Sequence, residues 1–388
     1  MGEDATRYDA ADITVLEGWE AIRKRPGMYI GSVAERGLHQ AVFQVLDWSV
    51  NEVLAGRATS VDVTLTPDGG VRVADDGAGV PIEAAGDTES PGLEALLTSM
   101  HTRAEANGRN CAIISGFGIG PFVTNALSSR LTAEVRRKGT RWVQQYTRGV
   151  ADTPPSAVGP VDGSGTTITF WPDPGIFETV ACSFTVLAER FRELAFLNRR
   201  LAISLTDART PGEFQSLRFR SPGGARDFVA FLDVSGGGSV YPDIINFEWE
   251  DQRMAGTAEV ALRWRATRDE RVRGFANSLT TSYESTHMAG FREGVAAAIT
   301  AYGRGHRLLT ASDPDLSADR IGEGLTAVVS VKLDFPEFEG ATRGTLGNAA
   351  VRSCVAQAVQ DHLGTWLETH PREAATIIDR IASAGHRS

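Results

Sequence analysis

Lysine is almost absent from this 388-residue chain. Lys24, Lys138 and Lys332 are the only three, so arginine carries nearly all the positive charge, a bias typical of a GC-rich genome. Acidic residues outnumber basic ones, and the formal net charge of −10 excludes a broad electrostatic grip on nucleic acid. Cysteine is scarce too. Cys111, Cys182 and Cys354 are odd in number and widely spaced, which excludes a metal-ligand pattern or a disulfide framework and reads as thiols in a reducing cytosol. No apolar run approaches the ~18 residues of a membrane span. The stretch from Met1 to Asp12 is polar and acidic, with no apolar signal region. A cytoplasmic protein without a membrane partner is expected.

What is present is an ordinary globular composition, 42% apolar and 23% charged, with length enough for two cores. Apolar periodicity predicts helices over Val15 to Lys24, His39 to Leu54, Leu93 to Met100, Phe122 to Leu127 and Phe184 to Leu197. Alternating patterns predict strands at Val61 to Leu65, Val71 to Ala74, Thr132 to Arg136, Trp142 to Thr147 and Thr166 to Trp171. The turn-rich Ser221-Pro222-Gly223-Gly224 marks a boundary. Beyond it come strands at Ala258 to Trp264 and Leu325 to Val331, and helices at Thr286 to Ala301 and Asn348 to Thr365. Helices interspersed with hairpins predict an α+β class. The expected division is an arm over 1–12, a first domain over 13–220 and a second over 221–388.

Four segments carry chemistry, in order. Arg25-Pro26-Gly27-Met28-Tyr29-Ile30-Gly31 precedes the helix of Gln44. Asp75-Asp76-Gly77-Ala78-Gly79-Val80-Pro81 leaves a strand as a glycine-rich loop. Ser115-Gly116-Phe117-Gly118-Ile119-Gly120 has the glycine spacing of a phosphate loop, and Gly165-Thr166-Thr167-Ile168 opens a later strand. Together these segments resemble the nucleotide motifs of the GHKL ATPases of the DNA gyrase B and type II topoisomerase kind. Thr286-His287-Met288-Ala289-Gly290-Phe291 resembles their transducer domain. The resemblance runs from about residue 8 to residue 388. It implies a GHKL (Bergerat-type) α/β sandwich followed by a transducer of ribosomal-S5-like α+β fold, without the regions that cleave DNA.

The departures from the family pattern are concentrated. The resemblance puts the catalytic glutamate at Gln44 and the Mg²⁺-holding asparagine at Trp48. An amide cannot serve as a base near neutral pH, and an indole offers a metal no oxygen. Ala78 stands where the family has an arginine that braces the acid at Glu52. Ala341 and Arg343 replace a glutamine and the lysine that contacts the γ-phosphate, and Arg343 differs from lysine in reach and geometry. Ile114-Ser115 and Phe117 alter the phosphate loop. Asp75 and Thr166 match the base-binding end, Gly79, Gly118 and Gly120 keep the family's loop shapes, and Arg137 matches an arginine at the pocket mouth. Tyr8 matches an arm residue that reaches a partner protomer, which implies a homodimer.

The expected ligand pocket is therefore Gln44, Trp48, Asp75, Ala78, Gly79, Phe117, Gly118, Gly120, Arg137, Thr166 and Arg343. No metal site and no ATP or Mg²⁺ cofactor is expected. The first functional reading is a pocket that has lost ATP hydrolysis and binds another small molecule. It would act as a repurposed acid/base enzyme of cyclase or isomerase type in bacterial specialised metabolism, with His39, Glu52 and Asp75 as candidate catalytic groups. His101, in the polar stretch expected to form a lid, is a further candidate. The alternative is a non-catalytic binding protein, either a decoy for gyrase inhibitors that gives self-resistance or a regulator of gyrase. A residual ATPase ranks last.

Overall fold

The computed structural model describes residues 16, 18–83, 92–100, 109–116, 118–234, 239–309, 318–340 and 343–384. Tyr8, His101, Phe117 and Ala341 lie outside them.

Among the described residues, nine strands form the first sheet: β1 Ser60–Leu65, β2 Val71–Asp75, β3 Ser128–Arg137, β4 Thr140–Thr147, β5 Val150–Ala151, β6 Ser156–Pro160, β7 Gly165–Pro172, β8 Ala202–Asp207 and β9 Gln215–Phe219. Their order is β5-β4-β3-β7-β2-β1-β8-β9, with β6 on the free edge of β4. The β1/β2 hairpin forms as its alternation predicts, with Val63 opposite Val73. Periodicity leaves β8 and β9 unassigned. β8 lies parallel to β1, a pairing that needs a crossover, and the helix Phe184–Leu197 supplies it.

One face of this sheet is covered by the helix Glu35–Leu54. Val42, Leu46, Val50 and Val53 are its buried stripe, as their spacing predicts. The helix starts a turn earlier than expected. It ends at Leu54 with Ala55 as its cap, and Gly56 follows in the left-handed conformation that glycine accepts without a Cβ clash.

The second sheet contains β10 Ile245–Asp251, β11 Gly256–Trp264, β12 Arg271–Ala276, β13 Leu279–Thr281 and β14 Leu325–Leu333, ordered β10-β11-β14-β12-β13. The helices Thr286–Gly305 and Ala349–Thr369 pack against it and against each other. Their backbones approach so closely that a Cβ on Gly290 would stand 2.3 Å from the Arg352 carbonyl oxygen, so only glycine fits. The α+β reading thus holds in both sheets. A smaller core of Leu197, Phe228, Val229, Ala261, Phe275 and Val328 joins the crossover helix to the second sheet.

Candidate functional site

The site forms where the helix Glu35–Leu54 passes over the end of β2, beside the start of β7 and the segments 114–116 and 118–120. Asp75 is the last residue of β2 and is buried. Ser49 Oγ donates to its Oδ2 at 2.9 Å, while the amides of Gly77 and Thr166 donate to Oδ1 at 3.1 and 3.3 Å. Burial pushes its carboxyl above the ordinary value, and these three donors work against that rise. Thr166 Oγ1 accepts from the Val80 amide at 3.0 Å, which fixes the glycine-rich loop to β7. Arg137 Nη1 donates to the carbonyls of Gly79 and Ala78 at 2.6 and 3.2 Å. Gly79 has φ +78°, and a Cβ there would stand 2.7 Å from the Arg136 carbonyl oxygen. Asp75, Thr166, Gly79 and Arg137 are thus gathered at one corner, with Ser49 as an additional member. Ser49 carries no motif signal; its place one helical turn before Glu52 and Val53 gives it that role.

The opposite end differs from a phosphate cradle. Gln44 is fully buried, and its Oε1 accepts from the Gly120 amide at 2.8 Å. Asp47 Oδ1 accepts from the Ile114 amide at 2.7 Å, and its Oδ2 from Ser115 Oγ at 2.5 Å. Ser115 Oγ in turn accepts from the Gly118 amide at 3.2 Å. Amides that could hold a phosphate are thus bonded to the protein's own oxygens. Asn51 grips the same segment through both amide atoms: its Nδ2 donates to the Ala112 carbonyl and its Oδ1 accepts from the Ala112 amide. Asp47 and Asn51 lie outside the pocket predicted from sequence. Their i, i+4 spacing is the available signal for a shared face. Trp48 packs against the core and is only partly buried. Arg343 is exposed, with Nη1 4.0 Å from where a Cβ on Gly118 would stand.

Ala78 leaves Glu52 without the family's brace, yet Glu52 is braced. Arg57 Nε and Nη2 form a two-point pair with its carboxylate at 2.9 and 2.6 Å. Nothing in the sequence pattern points to Arg57. His39 is buried and turned to the crossover helix, where its Nε2 accepts from the Ser183 amide at 3.0 Å. Burial lowers its pKa, and the nearby Glu35 only partly offsets this. The structure therefore ties Gln44 to Gly120, Asp47 through Ser115 to Gly118, and Ser49 to the Asp75 and Thr166 corner with Ala78, Gly79 and Arg137 beside it, while Trp48 packs against the core. His39 stands apart from them. Among the described residues, no group of three or more histidine, cysteine or acidic side chains could hold a metal ion, and no helix is long and apolar enough to cross a membrane.

A helix-covered mixed sheet with an aspartate at a strand end, a glycine loop opposite it and a transducer-type second unit defines a GHKL-type ATP-binding fold. The chain belongs to the DNA gyrase B family. The family profile described as DNA gyrase B matches residues 224–388. The DNA gyrase B protein of Streptomyces coelicolor is 44% identical across 99% of this chain. The novobiocin-resistant DNA gyrase B protein of Streptomyces niveus is 40% identical across 97% of it. The chain spans 58% of the length of each of these relatives. Among solved structures, the 43K ATPase domain of Thermus thermophilus gyrase B, in complex with an aminocoumarin, superposes with a TM-score of 0.78 at 31% identity, covering 95% of both chains.

Proposed function

We propose that this chain is a gyrase-B-type ligand-binding unit that does not hydrolyse ATP, and that it binds aminocoumarin-type gyrase inhibitors at the Asp75, Thr166 and Arg137 corner. The observation that carries the reading is the Gln44 amide, which is bonded to Gly120 where hydrolysis needs a carboxylate aimed at water. The aminocoumarin held by the Thermus thermophilus gyrase B domain, and the novobiocin resistance in the name of the Streptomyces niveus relative, support the choice of ligand. In this reading the protein is cytoplasmic, uses no ATP or Mg²⁺, and sequesters an inhibitor or pairs with a gyrase protomer. A homodimer through the arm at Tyr8 belongs to the same proposal.

The acid/base enzyme of cyclase or isomerase type is the second reading. Asp75, a buried carboxyl with a raised pKa, favours it. Against it, His39 is held by Ser183 and Glu52 by Arg57, so neither stands ready as a partner acid or base.

Phosphate release and novobiocin binding separate these readings from a working ATPase. Wild type should release no phosphate from Mg-ATP above the buffer rate and should bind novobiocin. The Gln44→Glu, Trp48→Asn double variant should gain Mg²⁺-dependent ATP binding. Turnover of ATP by wild type, sensitive to Gln44→Ala, would overturn the proposal.

A further inference from the structure

Two hydrogen-bond donors at the rebuilt end have no partner. Gln44 Nε2 and Trp48 Nε1 are both buried and unbonded, one helical turn apart on the same helix. The Gln44 amide cannot flip to relieve this, because its oxygen is held by the Gly120 amide and a flip would set donor against donor. An unsatisfied buried donor is destabilising, so two of them on one helix favour any group that supplies acceptor oxygens. The same end is poorly suited to an anion. The Gly120, Ile114 and Gly118 amides already donate to Gln44, Asp47 and Ser115, and the Asp47 carboxylate is buried among them. A phosphate would have to displace these oxygens and sit against that charge.

We infer that this end of the cleft takes an uncharged oxygen acceptor, such as the carbonyl, ester or ether group of an aromatic ligand, bonded by Gln44 Nε2 and Trp48 Nε1 in place of a polyphosphate. The inference rests on the binding reading above and specifies the ligand's chemistry at its second end. Gln44 and Trp48 become the residues that set specificity against nucleotides.

The test uses the full chain with ¹⁵N-labelled tryptophan, with novobiocin and inorganic tripolyphosphate as probes. Trp48→Phe assigns the indole resonance and removes the donor while keeping a ring. Novobiocin should shift the Trp48 N–H resonance downfield, and Trp48→Phe should weaken novobiocin about five- to tenfold. Tripolyphosphate at millimolar concentration should neither shift that resonance nor raise the melting temperature. Gln44→Ala, which uncaps the Gly120 amide, should gain tripolyphosphate binding; Gln44→Met, which also removes the cap but refills the volume, controls for folding. If novobiocin binds, with the Asp75→Asn variant defective, but neither the Trp48 resonance nor the Trp48→Phe affinity responds, the inference falls and the binding reading stands. If novobiocin fails to bind, the aminocoumarin reading falls. The tripolyphosphate arm still decides the rebuilt end: binding by wild type overturns the inference, and binding only by Gln44→Ala supports it.

Discussion

The two ends of the cleft differ in how their polar groups are satisfied. At the Asp75 end each group is bonded in a way that holds a ligand-ready shape: three donors on one carboxylate, the Thr166 hydroxyl on the Val80 amide, and Arg137 on the loop carbonyls. At the glycine-loop end the protein's own oxygens occupy the amides, and two donors are left over. One end is closed by paired groups, while the other is left partly unsatisfied.

Four substitutions sharpen or break this contrast. Asp75→Asn has the largest expected effect, because it removes the charge that strengthens a ligand's hydrogen bond. Novobiocin affinity should fall by about 2–3 kcal/mol, read by calorimetry. For the wild type, that affinity should also decline as pH is lowered through the raised Asp75 value, since protonation removes the charged acceptor. An unchanged affinity in Asp75→Asn would break the claim that this end recognises ligand. Gly79→Ala comes next. It forces a left-handed φ and a contact with the Arg136 carbonyl, and should lower unfolding stability by about 2 kcal/mol.

His39→Gln follows, at about 1 kcal/mol, and it separates structure from catalysis. Because burial lowers the folded-state pKa of His39, the bond from Ser183 is intact above the ordinary value of 6.5 and is lost as pH falls through the lowered value. His287, held down to about 3 by burial, adds stability with the same sign. The readout is therefore the difference in melting temperature between wild type and His39→Gln, which should shrink on acidification. Ligand binding should be unchanged; a His39→Gln variant that folds normally yet loses activity would restore the acid/base enzyme reading. Arg57→Ala should have the smallest effect, under about 1 kcal/mol, because the Arg57 side chain is 58% exposed and solvent screens its pair with Glu52.

Much of the fold is legible in the sequence. The stripe from Val42 to Val53, the β1/β2 alternation and the crossover helix Phe184–Leu197 all carry strong periodic signals. β8 and β9 escape periodicity because β8 has consecutive buried residues instead of an alternating pattern, and β9 is a mostly exposed edge strand. At the site, the motif spacing locates Asp75, Thr166 and the glycine loop. It cannot show where side chains turn. The pattern points Gln44 at a ligand, and its oxygen instead caps Gly120. Ala78 announces a missing arginine, and its replacement comes from Arg57, which is distant from the motif in sequence but adjacent to Glu52 in space. Such compensations depend on three-dimensional proximity, which a linear pattern does not record.

The glycine-loop end is proposed no longer to serve a nucleotide triphosphate. Titration calorimetry of the full chain with Mg-ATP and, in parallel, with novobiocin tests it most directly. The account predicts saturable heat with novobiocin and none with Mg-ATP. Tight, Mg²⁺-dependent ATP binding accompanied by phosphate release would contradict it.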